Sequence, residues 1–331
     1  MRRLRVDPFI VAILATVAVA SLLPARGAAA GVASVATTAA IGLLFFLYGV
    51  RLAPREAMAG LRHWRLHVTV LASTFVLFPL LGLAARVLVP TVLTPSLYTG
   101  VLFLCVLPST VQSSIAFTSI AKGNVAAAVC AASMSSLLGV FISPVLIALL
   151  VSTNGGALSL KSVGDIVLQL LVPFALGQLC RRWLVGWVTG HKRIVGVVDR
   201  GSILVVVYAA FSEGVVAGIW HQLAPLRLVE LVGVDAVLLC LALVITWTVA
   251  TRMGFSREDR ITIVFCGSKK SLSAGLPMAA VFFAGTAGLV VLPLMLFHQI
   301  QLMVCAALAR RWARPPSVTV KAAVQQAETS R

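Results

Sequence analysis

Long apolar segments joined by short polar connections make up almost the whole chain. A helix needs about 20 apolar residues to cross the hydrocarbon core of a bilayer. The pattern predicts ten such spans, counted first to tenth along the chain, at approximately residues 8–24, 32–50, 66–85, 97–120, 125–151, 163–180, 202–219, 228–250, 261–283 and 288–309. The connections leave no room for a separate soluble domain. The predicted fold is therefore an all-α integral membrane protein.

The composition supports the same class. The chain is 60% hydrophobic and 11% charged, with a mean hydropathy of +1.03, whereas soluble domains are about 25% charged. The net charge of +17 could suggest a nucleic-acid partner. The basic residues instead stand at the ends of apolar segments, so we expect the lipid bilayer, and no nucleic acid, as their partner.

Motifs for enzymatic chemistry are missing from the sequence. The six cysteines are solitary and lie in or beside apolar runs, which does not favour a disulfide framework or a zinc site. No nucleotide-binding glycine loop, HExxH motif or nucleophile elbow occurs in a suitable context. We expect neither an enzyme nor a bound cofactor or metal.

The distribution of Lys and Arg predicts the orientation in the membrane. If the N-terminus is cytoplasmic, 21 of the 27 basic residues flank the spans on the cytoplasmic side and four on the other, as the positive-inside rule requires. Both termini would then be cytoplasmic in the cell inner (plasma) membrane, with residues 314–331 as a polar cytoplasmic tail. The first segment also fits a cleavable signal peptide. We interpret it as the first span because ten spans divide into two sets of five.

Two sets of five spans predict an inverted repeat, over approximately residues 8–151 and 163–309, because an odd-numbered unit inserts its second copy upside down. The fourth and ninth spans should then correspond. Pro108 interrupts the fourth and Gly267 the ninth, and a polar cluster follows each. Paired interruptions of this kind indicate the binding site of a secondary transporter, and half-helix N-termini attract anions.

Lys269 and Lys270 fall in the middle of the ninth span. Each cation at the centre of a membrane helix costs roughly 2.5 to 3.5 kcal/mol on insertion scales, which indicates a functional site. Consecutive residues point about 100° apart on a helix, so both could face one cavity only if the backbone opens there, which Gly267 would permit. The alternative is that the span is misplaced and the lysines lie at an interface.

Further candidate residues are polar side chains inside the spans. Those expected to bind substrate or ion together with the two lysines are Ser109, Thr110, Gln112, Ser113, Ser114, Ser268, Ser271 and Ser273. Candidates for a coupling group or a counter-charge are Glu213, Asp235, His298 and Gln301. Spacing alone does not rank the second group.

Three segments resemble a known family. Residues 121–126, read with 108–114 and 266–271, are similar to the bile acid:sodium symporter (SBF-like) family, and most to the branch of solute carrier family 10 member seven and its bacterial homologues. The resemblance implies a core domain of the third to fifth and eighth to tenth spans (approximately 66–151 and 228–309). A panel domain of the first, second, sixth and seventh (8–50 and 163–219) would lie beside it. The fourth and ninth spans would cross in the core.

The sodium site implied by the resemblance is altered in this chain. Sodium-coupled members have a Ser-Asn pair in the fourth span, hydroxyls in the fifth, and Glu, Gly, Gln and Asn in the ninth. Aligned on the shared motifs, Ser114 is retained but Ile115 stands at the Asn, Phe265 at the Glu and the lysine pair at the Gln-Asn. Ala128 and Ala132 take the hydroxyl positions.

Two classes of function remain. The first is a secondary transporter of a small organic anion by alternating access, proton-coupled or uncoupled, with the lysine pair in place of sodium; a sodium-coupled organic-anion symporter is its alternative. The second is a membrane regulator or sensor that binds a ligand without moving it, and the family resemblance implies calcium or cell-envelope homeostasis as its role. A channel is the weaker third interpretation, because the sequence shows no repeated pore filter.

Overall fold

The computed structural model describes residues 8–51, 63–151, 160–216, 218, 225–283 and 286–313, and the regular structure in these ranges is helical. The helices are α1 Pro8–Leu22, α2 Ala28–Arg51, α3 Trp64–Leu88, α4 Pro95–Val106, α5 Val111–Ile120, α6 Val125–Val151, α7 Leu160–Gly190, α8 Lys192–Val216, α9 Pro225–Arg252, α10 Arg257–Gly267, α11 Leu272–Phe282 and α12 Ala287–Ala313. The predicted cytoplasmic tail, residues 314–331, lies outside the described residues.

The length and apolarity of the helices define a multi-pass membrane protein. Within the described ranges, six helices are long and apolar enough to cross a bilayer, namely α2, α3, α6, α8, α9 and α12. The pair α4 and α5, bent by 64° at its break, would make a seventh span. The all-helical fold is confirmed, while the count of ten spans and the inverted repeat stay predictions.

Local sequence signals explain where several helices begin and end. Ser256 caps α10 by accepting the Asp259 amide, and Asn124 caps α6 by accepting the Ala127 amide, which satisfies amides that lack partners inside the helix. α4 stops at Val106 because Pro108 favours an extended residue before it, and Leu107 has φ −77° and ψ 156°.

Two groups of helices pack together. In the first group, α2 packs closely on α7 and α8, and α8 packs on α1. In the second group, each of α4, α5 and α9 to α11 contacts α12 or another helix of the group. Gly49 and Gly177 bring the backbones of α2 and α7 into contact, since a Cβ on Gly49 would lie 2.2 Å from a backbone oxygen of α7. α8 also contacts α11 and α12. The division into core and panel domains remains a prediction.

Candidate functional site

The breaks between α4 and α5 and between α10 and α11 lie against each other. The Pro108 carbonyl accepts the Ser271 amide at 2.9 Å. The Thr110 hydroxyl donates to the Lys270 carbonyl at 2.7 Å, and the Ser109 hydroxyl to the Cys266 carbonyl at 2.5 Å. Polar side chains of one break thus satisfy backbone groups that the other break leaves without a helical partner.

The Lys270 ammonium is fully buried and has a complete set of acceptors. Its Nζ donates to the carbonyl oxygens of Thr74, Cys105 and Leu107, each at 2.8 Å, and lies 4.2 Å from the centroid of the Phe78 ring. An ammonium has three N–H donors, so this geometry satisfies every one of them. We call these three carbonyl oxygens the carbonyl cradle.

Local backbone structure frees two of these carbonyls. A π turn spans Ser73–Leu77, and in it the Phe78 amide bonds to Ser73 rather than to Thr74. The next residue, Pro79, has no N–H to offer, so the Thr74 carbonyl faces Lys270 without a helical donor. Cys105 stands in the last turn of α4, and the Ser109 amide that would have followed the helical pattern bonds to the Ser135 hydroxyl instead.

The Lys269 ammonium has different surroundings. It is also fully buried, but its described hydrogen bond is a single one, to the Ser113 hydroxyl at 3.1 Å. The rings of Phe117 and Phe265 lie 4.4 and 5.8 Å from it by centroid. The two lysines therefore face different helices, Lys270 toward α3 and α4 and Lys269 toward α5.

Gln301 of α12 holds the backbone of the break between α10 and α11. Its Oε1 accepts the Lys270 amide at 2.9 Å, and its Nε2 donates to the Lys270 carbonyl at 2.9 Å and to His298 Nδ1 at 2.8 Å. The amide of Gln301 thus pairs with a peptide group as another peptide would. This contact makes Gln301 a positioning residue for the lysine pair.

The remaining polar candidates of the two clusters make different contacts. Ser114 donates to the Phe265 carbonyl, and Ser268 donates within its own helix to Val264. Ser271 caps α11 and lies 3.2 Å from the Ser273 hydroxyl. Gln112 is exposed on α5.

The candidate counter-charges do not pair with the lysines through any described ion pair. The ion pairs in the described part of the chain join Arg51 to Asp199 and Arg227 to Glu230. Asp235 on α9 is fully buried, and neither carboxylate oxygen has a hydrogen-bond partner among the described residues. Glu213 is exposed on α8.

The role expected of Gly267, to permit an opening of the backbone beside the lysines, stays a prediction. Gly267 does not have a positive φ, so such an opening would not use glycine's freedom in that region. A Cβ there would instead lie 3.0 Å from Ser73 Cβ. Gly267 permits the close packing of α10 on the π turn of α3.

Tyr48 is a contact that the sequence did not reveal. Its hydroxyl, on α2, donates to the Ser273 carbonyl at 3.0 Å, and the guanidinium of Arg51 lies 5.8 Å from its ring centroid. A tyrosine near the end of a membrane helix is typical of the interface, which conceals this role. The bond joins α2 to the first turn of α11.

The uncapped start of α5 adds to the positive character of the two breaks. Thr110 occupies its N-cap position but makes no side-chain cap bond, because its hydroxyl donates to Lys270. Among the described residues, no three His, Cys, Asp or Glu side chains come together as metal ligands. Two buried ammonium groups and an uncapped helix N-terminus together place positive charge at the two breaks.

The arrangement of interrupted helices and buried polar contacts is that of a membrane transporter, and comparison with known proteins gives the family. The chain belongs to the SBF-like CPA transporter family, whose model matches residues 7–314. This confirms the resemblance drawn from the sequence motifs.

Three relatives show the range of similarity. The chain is 57% identical over 310 residues to an uncharacterized protein of Pseudomonas aeruginosa and 52% identical over 309 residues to the putative symporter YfeH of Escherichia coli, covering 93% of each chain in both cases. It is 28% identical over 310 residues to the sodium/bile acid cotransporter 7 of Rattus norvegicus, covering 92% of this chain and 91% of that one.

Proposed function

We propose that this protein is a secondary transporter of a small organic anion that works by alternating access in the inner membrane. The observation that carries the proposal is the pair of fully buried lysines, neither of which takes part in the ion pairs of the described residues. A buried cation without a counter-charge is costly, and an anionic substrate would supply that charge.

Lys269 is the better anion-binding group of the two. Lys270 already donates to three carbonyls, whereas Lys269 has one described acceptor, the Ser113 hydroxyl. Ser113 lies in the first turn of α5, close to the uncapped N-terminus of that helix. We propose that Lys269, Ser113 and Gln112 bind the anion once a conformational change opens the site, with the other polar residues of both breaks positioning them.

The residues at the altered sodium site favour coupling to protons or no coupling. Phe265 stands where the family resemblance implies a carboxylate, and two unit charges of the same sign about 4 Å apart repel by about 4 kcal/mol at an effective dielectric of 20. Sodium would therefore be disfavoured beside an ammonium in that position.

A sodium-coupled symporter is the second candidate, because two relatives are named a putative symporter and a sodium/bile acid cotransporter. A regulator that binds its ligand without moving it is the candidate from another class. The same reconstituted protein can separate all three.

The test is counterflow in proteoliposomes preloaded with one anion of a panel of bile acids, dicarboxylates and amino acids, with and without sodium and at two pH values. We expect exchange of a labelled anion without sodium, its loss in Lys269→Ala and Lys270→Ala, and no change in Lys192→Ala, which removes an exposed lysine at the start of α8. Full exchange in both buried-lysine variants would refute the lysine-based site. Strict sodium dependence would establish the symporter, and binding without exchange would establish the regulator.

A further inference from the structure

The carbonyl cradle is produced by the backbone and does not depend on the side chain that occupies it. The π turn and Pro79 free the Thr74 oxygen, and the end of α4 frees that of Cys105. The Leu107 oxygen belongs to the break that Pro108 imposes. None of these features involves the Lys270 side chain, so the three oxygens should stay together if that side chain is shortened.

Three converging carbonyl oxygens without a donor form a site for a cation. Carbonyl oxygens replace the hydration shell of monovalent cations in membrane proteins, and buried carbonyls left unpaired are unfavourable. The Phe78 ring, 4.2 Å from Nζ by centroid, adds the negative face of an aromatic ring to the same site. These groups make a cation-binding site on the α3 and α4 side of the crossing.

We propose that the oxygens of Thr74, Cys105 and Leu107 form a monovalent-cation site whose resident cation is the Lys270 ammonium, and that a free primary alkylammonium can replace it when the side chain is shortened. Lys270 is then a positioning residue, and Lys269 alone is left to meet the substrate. The inference rests on the proposed lysine-based site, but it is tested by thermal stability rather than by transport. The cation site can therefore be refuted while anion transport is confirmed, and anion transport can be refuted while the cation site is confirmed.

The experiment uses the full chain with Lys270→Ala, purified in detergent and melted in increasing n-propylammonium chloride. The part of a lysine side chain beyond Cβ has the atoms of propylammonium, so this probe can fill the space that the substitution leaves. We expect Lys270→Ala to melt below the wild-type protein, and its melting temperature to rise with the logarithm of the probe concentration, as mass action requires for a ligand of the folded state. Wild type and Lys269→Ala should not respond.

Matched salts and a second variant separate specific binding from general effects. Tetramethylammonium chloride has no N–H donor and should not stabilise Lys270→Ala, whereas stabilisation by sodium chloride beyond this baseline would also support a cation site. Lys270→Met fills the space with an uncharged chain and should be destabilised but indifferent to every salt.

Several results would overturn the proposal. One is a melting temperature of Lys270→Ala equal to that of the wild type. Another is that propylammonium and sodium raise the melting temperature of Lys270→Ala no more than tetramethylammonium does. The proposal is also overturned if Lys270→Met responds as Lys270→Ala does. If Lys270→Ala is recovered folded only from membranes solubilised in propylammonium or sodium chloride, the proposal is supported; failure to recover it under every cation counts against it.

Discussion

Gln301→Leu should loosen the break between α10 and α11. Leucine has a similar size but neither accepts the Lys270 amide nor donates to its carbonyl. The amide loses its described acceptor, and a buried unpaired N–H costs about 1 to 3 kcal/mol. The carbonyl keeps the Thr110 hydroxyl, so losing its second donor costs about 0.5 to 1.5 kcal/mol. The free energy of unfolding should fall by about 2 to 4 kcal/mol.

Two variants provide the controls for this prediction. Thr110→Val removes the other donor to the same carbonyl and should cost about 0.5 to 1.5 kcal/mol. His298→Ala removes the neighbour of Gln301 but leaves both bonds to Lys270, so it reports the contribution of the His298 side chain with the pairing of Gln301 and Lys270 intact.

The assay is thermal unfolding in detergent together with hydrogen exchange of peptides that cover residues 266–273. For a chain of 331 residues the loss corresponds to a fall of about 3 to 6 °C in melting temperature, and the Lys270 amide should exchange faster. Two results together would refute this reasoning: a melting temperature of Gln301→Leu equal to that of His298→Ala, and hydrogen exchange of Gln301→Leu equal to that of the wild type. The pairing of Gln301 with the Lys270 peptide group would then not hold the break.

Three further predictions test packing and contacts at a distance from the lysines. Gly49→Ala should lower the free energy of unfolding, measured by thermal melting, by about 1 to 3 kcal/mol, because its Cβ would meet the backbone of α7. The control Gly186→Ala, where a Cβ meets open space, should cost little. Equal effects of the two substitutions would refute the close approach of α2 and α7. Tyr48→Phe should cost about 0.5 to 1.5 kcal/mol and speed counterflow, since its bond to Ser273 has to break if α2 and α11 move apart; slower counterflow at unchanged stability would contradict this. Gly123→Ala should also melt earlier, because its Cβ would lie 2.7 Å from a side chain of α10; an unchanged melting temperature would show that this turn has room.

The sequence could reveal the breaks because their cause is local. Pro108 restricts the residue before it, and the polar cluster that follows it is unusual in an apolar span, so the position of the interruption follows from composition. The burial of Lys269 and Lys270 could be predicted for the same reason, since a charge in the middle of a long apolar run has no water within reach.

The partners of those lysines could not be predicted, because they are backbone oxygens. Every residue has a carbonyl, and the one at Thr74 is distinguished only by a π turn and by Pro79 in the following turn. Gln301 was a candidate for coupling or counter-charge, and its pairing with the Lys270 peptide group depends on how α12 packs against the break between α10 and α11. The contact of Tyr48 with Ser273 joins residues 225 positions apart, beyond the reach of any local pattern.

The bonds of Lys270 also have a mechanical consequence. Its ammonium ties the break between α10 and α11 to α3 and to the end of α4, and Gln301 ties the same residue to α12. Bending at this break would rupture several of these bonds at once, so the break is poorly suited to act as a hinge. If the proposed alternating access takes place, it would carry these helices together as a rigid block, and the sliding surface would lie elsewhere, where contacts such as that of Tyr48 can be exchanged singly.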